Sequence, residues 1–133
     1  INKIITRAFD TKSISINNDR NVFGYMDVED AVNGLIAFVN NSNPKDWAGI
    51  YNFGAKFSEQ RTFEYIANTI RECFRNNNID INLQVQNAER ADRLCLLNSK
   101  EFYLIANWQP EISLRQSIEN IFAQIVQNQK QEG

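Results

Sequence analysis

The 133-residue chain contains no histidine. That absence removes imidazole acid–base catalysis, Ser-His-Asp and Cys-His nucleophile activation, and every metal site that needs an imidazole. Glycine is scarce. The five present (Gly24, Gly34, Gly49, Gly54 and Gly133) nowhere form a GxGxxG turn, and no Walker sequence exists, so the chain lacks a dinucleotide-binding fingerprint. No tyrosine is followed by lysine four residues on: Tyr25, Tyr51, Tyr65 and Tyr103 meet Glu29, Ala55, Thr69 and Asn107 at that offset. The two cysteines, Cys73 and Cys95, form no CxxC pair and have apolar neighbours, which suits buried thiols in a reducing cytoplasm and no metal cluster. Fourteen basic residues against sixteen acidic ones give a net charge of −2, without the cationic excess that nucleic-acid binding needs. No apolar run approaches the roughly 20 residues that cross a bilayer. The chain begins at Ile1 with no Met and no signal-like segment, and we expect a piece of a longer, cytoplasmic protein.

What is present is material for a core. Hydrophobic residues make up 43%, with nine Phe, four Tyr and two Trp, and the length suits one compact domain over residues 1–126 with a polar, frayed tail at 127–133. Ile4 to Phe9 reads as the end of a helix, Ser13 to Ile16 as a strand, Asn17 to Asp19 as a turn and Val22 to Met26 as a second extended piece. Val28, Ala31, Val32, Leu35, Ile36 and Val39 recur at helical spacing behind Asp27, a helix-capping residue. That stripe is expected in the core. Ile50 to Phe53 reads as a strand with a tight exit at Gly54. Thr62 caps a second helix with Phe63, Ile66, Ala67, Ile70, Cys73 and Phe74 on one face.

Ile79 to Val85 alternates as a strand, Arg93 to Leu97 is extended, Ser99 to Ile105 is a small helix, and Asn107 to Pro110 is a turn. Ser113 and Gln116 open the last helix as a capping box, with Leu114, Ile118, Ile121, Phe122 and Ile125 facing inward. Three main helices alternating with short strands make a small, mixed α/β domain.

The acidic residues at the mouth of the first strong helix have structural duties available. Asp27, Glu29 and Asp30 complement the helix dipole and its free N–H groups, although Asp27 can also face a cleft. The cluster Glu89-Arg90-Ala91-Asp92-Arg93 admits two readings. It is a solvated loop, or its arginines clamp a diphosphate while Asp92 accepts sugar hydroxyls.

Five segments carry a resemblance. Val22 to Val32 is similar to the aromatic-X-X-Val-Asp/Glu-Asp-hydrophobic-Ala stretch of extended short-chain dehydrogenases/reductases, the NAD-dependent nucleotide-sugar epimerases and dehydratases. Ile50-Tyr51-Asn52-Phe53-Gly54 resembles that family's "vYNvG", and Thr62 to Ile70 its next helix. Ala91-Asp92-Arg93-Leu94 with Asn98-Ser99-Lys100 resembles its "D-R … D-x-S-K" region, and Asn107-Trp108-Gln109-Pro110 its "L-G-W-x-P" turn. The matches run in order over residues 14–126.

The resemblance implies the C-terminal substrate-binding lobe of a Rossmann-type enzyme. The cofactor (NAD or NADP) and the catalytic residues then belong to an N-terminal Rossmann domain of the parent chain, and this segment binds no cofactor or metal itself. The substrate contacts that the resemblance carries over are Ile16, Tyr25, Asp27, Arg90, Asp92 and Arg93. Phe23 stands where the family has an arginine on the diphosphate, so either Arg20, the nearest cation, substitutes as a substrate contact or the ligand differs; Asn98 replaces the family Asp, and Asn107 the family Gly. Asn107 suits the left-handed backbone that glycine supplies.

The implied partners are a nucleotide-sugar and the Rossmann domain, with neither nucleic acid nor membrane. An apolar face bared in isolation would drive weak self-association. The alternatives are a stand-alone, non-catalytic binding domain of the same ancestry, or a related reductase or redox-state sensor.

Overall fold

The computed structural model describes residues 1–18, 22–87 and 97–131. Five helices and four short strands follow one another as α1 (Asn2–Thr11), β1 (Ser13–Asn18), β2 (Val22–Phe23), α2 (Val28–Asn41), β3 (Arg61–Thr62), α3 (Phe63–Asn76), β4 (Asn82–Asn87), α4 (Lys100–Ala106) and α5 (Leu114–Gln131). This is the mixed α/β class expected. The chain divides into two compact units, Ile1–Asn21 with Arg61–Leu94 and Arg115–Gly133, and Val22–Gln60 with Cys95–Leu114.

The first unit is built on a parallel pair. β1 runs beside β4 with Ile14 opposite Leu83 and Ile16 opposite Val85, and α1 and α3 pack on β1. Asn17 and Asn18, expected in a turn, continue β1, because parallel pairing runs on to Asn87. Thr62 caps α3 as expected, its hydroxyl accepting the N–H of Tyr65 at 3.2 Å. Ile66, Ala67, Ile70, Cys73 and Phe74 form the buried face. Phe74 meets Phe9 and Phe122 at ring-centroid distances of 4.5 and 4.9 Å, in tilted and edge-on contacts. Ile5, Ile66, Ile70, Phe74 and Ile118 have no exposed surface at all. The Cys73 thiol is free and buried there; burial, with the Glu119 charge second, raises its pKa. α5 runs to Gln131, into the polar tail.

The second unit is organised by α2 and α4. Asp27 caps α2, accepting the N–H of Glu29 at 2.9 Å. The side of α2 toward α4 carries small or aromatic groups. Gly34 has the rings of Trp108 and Phe53 so close that a Cβ would lie 2.5 Å from the former. Phe38 stacks on Phe102 at 5.1 Å, Phe53 meets Phe102 at 4.4 Å, and Asn41 donates to the Ala106 carbonyl. Asn107 closes α4 with a φ of 45°, the left-handed turn expected of it.

Two expectations fail in this unit. The α2 stripe is not core: Val28, Val32, Leu35, Ile36 and Val39 are all exposed, Val28 at 73%. Helical spacing fixes which residues share a face but not whether anything covers it. Residues 50–53 form no strand either, since no strand lies alongside them among the described residues, and Ile50 is 99% exposed. Tyr51 instead donates to the Asp46 carbonyl and Phe53 turns inward. Gly54 does not take the positive φ of a tight glycine turn, and a Cβ there would sit 2.6 Å from Leu97 Cδ2, the end of a side chain that can shift.

Candidate functional site

Beyond β2 residues 24–27 form neither helix nor strand, and Asp27 at their end has an extended backbone. Tyr25 and Met26 from this segment line a cleft of about 150 Å³ with Lys56, Ser58, Glu59 and the loop from Pro110 to Ser113. Two carboxylates hold that loop. Asp30, only 3% exposed, accepts the N–H of Glu111 at 3.1 Å and of Ile112 at 2.8 Å. Glu59 accepts the N–H of Leu114 at 3.0 Å. A buried carboxylate is tolerable when several backbone donors face it, and here they fix one wall of the cleft. Asp30 has the packing duty expected of it.

The segment Lys56–Ser58 also borders a second cleft, about 430 Å³, with Asn98, Ser99, Lys100 and Tyr103. Tyr103 donates to the Gly54 carbonyl, and burial raises its pKa, the Ser99 hydroxyl lowering it and the Asp30 charge raising it in smaller measure. The Gln60 amide grips both backbone groups of Leu97, donating to its carbonyl at 2.8 Å and accepting its N–H at 3.3 Å. Backbone on either side of this cleft is therefore pinned.

Of the site residues expected from sequence, Tyr25 lines the smaller cleft and Asp27 stands two residues on, its carboxylate engaged in capping α2. Ile16 belongs to the other unit, where it is buried at 4% exposure opposite Val85. Arg20, Arg90, Asp92 and Arg93 lie outside the described residues, as does the expected extended segment from Arg93 as far as Leu96. Lys56, Ser58, Glu59 and Lys100 were missed as cleft residues. Apart from Lys100 in the Ser-Lys pair, they occupy loops without periodicity, and only tertiary structure gathers them. Among the described residues no cluster of metal-ligating side chains occurs, and no helix is long and apolar enough to cross a membrane.

No family model and no curated protein matches the sequence. Solved structures do match in fold. UDP-N-acetylglucosamine 4-epimerase from Bacillus cereus aligns with 94% of this chain at a TM-score of 0.72 and 19% identity. dTDP-glucose 4,6-dehydratase from Bacillus anthracis, in complex with NAD, aligns with 96% at 0.72 and 14%. UDP-glucuronic acid 4-epimerase from Bacillus cereus, also with NAD, aligns with 94% at 0.70 and 14%. The chain spans only 36–39% of the length of these proteins. Its fold is that of the C-terminal lobe of such enzymes.

Proposed function

We propose that this chain is the substrate-binding lobe of an NAD(P)-dependent nucleotide-sugar epimerase or dehydratase, completed by an N-terminal Rossmann domain of the same parent protein. The observation that carries this reading is α2. Its inward side packs Gly34 and Phe38, yet Val28, Val32, Leu35, Ile36 and Val39 on the other side stand in solvent. A helix with apolar groups on two of its sides has use for two packing partners, and this chain supplies one. The Rossmann domain is the second in this reading. The likeness in fold to part of longer sugar-nucleotide enzymes supports it.

The glycines lack the spacing and, among the described residues, the positive φ of a phosphate-binding turn. This lobe contributes positioning: the cleft beside Tyr25, with its loop wall held by Asp30 and Glu59, orients the sugar-nucleotide and keeps water from the reacting centre. Arg90 and Arg93 take the phosphates and Asp92 accepts sugar hydroxyls. Deprived of its partner, the 133-residue chain self-associates weakly through α2.

The test uses the full-length protein. Arg93→Ala raises KM for the sugar-nucleotide by about 10- to 100-fold, the worth of one hydrogen bond to a charged group, and leaves NAD(P) affinity unchanged. Equal loss of both affinities contradicts the assignment. A thermal-shift panel including UDP-N-acetylglucosamine and dTDP-glucose tests the substrate class: stabilisation by a nucleotide-sugar supports it, and none by any member contradicts it.

A further inference from the structure

Between Val22 and Met26 the segment entering the smaller cleft carries no charge, and it places two aromatic rings two residues apart. The rings of Phe23 and Tyr25 lie 6.1 Å apart, inclined at 42°. Phe23 is 36% exposed, while Tyr25 is half-buried and lines the cleft with Lys56, Ser58 and Glu59. Gly24 between them lies close against Gln60, where a Cβ would meet Cγ at 3.3 Å, and Gln60 is itself pinned by its two bonds to Leu97. The pair is thus mounted on backbone with little room to shift, its apolar faces next to groups that hydrogen-bond.

We propose that Phe23 and Tyr25 form a stacking platform for a flat ring of the ligand, and that this strand grips by ring contact and not by charge. Aromatic faces hold nucleobases and the apolar faces of pyranoses in the same way, by dispersion and edge complementarity. Lys56, Ser58 and Glu59 line the same cleft as Tyr25. The inference rests on the nucleotide-sugar reading above and adds which part of that ligand the strand takes.

Calorimetric titration of the full-length protein tests it, with UDP-N-acetylglucosamine and dTDP-glucose, and with UDP and dTDP as their sugarless counterparts. Phe23→Ala weakens binding about 10-fold, near the lower end of what one stacked ring contributes. Phe23→Trp stays within about 3-fold of the unsubstituted protein, since a larger ring stacks at least as well. Phe23→Leu, similar in apolar bulk but without a ring, loses nearly as much as Phe23→Ala. A loss that persists with UDP or dTDP places the base on the platform; a loss confined to the intact nucleotide-sugars places the pyranose there. Unchanged affinity in Phe23→Ala, or full retention in Phe23→Leu, overturns the platform while leaving the functional reading intact. Failure of the unsubstituted protein to bind either nucleotide-sugar overturns the functional reading instead, and the platform with it.

Discussion

The two units of this chain use similar helices to opposite ends. In the first, α3 presents one apolar face, and the packing around Phe74, Ile66 and Ile70 leaves those side chains no exposed surface. Its outer side carries Arg71, Glu72 and Arg75, and Arg115 pairs with Glu72 at 2.8 Å. In the second, α2 is equally long and equally well capped, but it is apolar on both sides and only one is covered. Trp47, at 60% exposure, and Ile50 stand in solvent within the same unit. The difference separates an apolar face that this chain buries from one that it leaves exposed.

The comparison can be broken at several points. The largest effect belongs to Phe74→Ala, which removes the ring joining Phe9 and Phe122 and costs about 3–5 kcal/mol; a urea melt of the chain that loses less shows the first core to be incomplete. Asp30→Ala strips the acceptor from the Glu111 and Ile112 N–H groups and costs about 2–3 kcal/mol, read in the same melt; a change near zero means that the loop wall is held by something else. Ile36→Ser costs about 1.5 kcal/mol or more in the full-length protein, where a covered side chain would lose its burial, and within about 0.5 kcal/mol in the 133-residue chain, as exposed sites do. Equal costs in the two settings remove the distinction between the units.

The smallest effect is in pH. A thiol with a raised pKa holds its proton more tightly folded than unfolded, so the stability it lends is full at neutral pH and declines as pH climbs beyond the ordinary thiol range. Cys73→Ser flattens that decline of the denaturation midpoint across the thiol range, below where the raised Tyr51 and Tyr103 titrate, and a decline that persists there belongs to another group.

Much of the fold was legible because local signals and tertiary structure agree. Thr62 and Asp27 cap the helices they were expected to cap, and Asn107 takes the left-handed backbone. Where the two disagree, the missing information is the neighbour. Periodicity made one face of α2, but the burial of that face depends on a partner that the spacing does not contain. Residues 50–53 have strand composition and no strand beside them. For the candidate site, Tyr25 was legible through its segment, while Lys56, Ser58 and Glu59 come together only through folding of loops. Asp30 was recognisable as structural, but its partners lie 81 and 82 residues away, beyond any local pattern.

The central claim, that the outer side of α2 is built to be covered, is tested most directly by amide hydrogen exchange. The full-length protein and the 133-residue chain are compared helix by helix. The account predicts that exchange across Val28–Asn41 slows by at least about tenfold in the full-length protein, equivalent to about 1.4 kcal/mol of added local stability, while Phe63–Asn76 changes little by comparison. Equal protection of α2 in both proteins would contradict it.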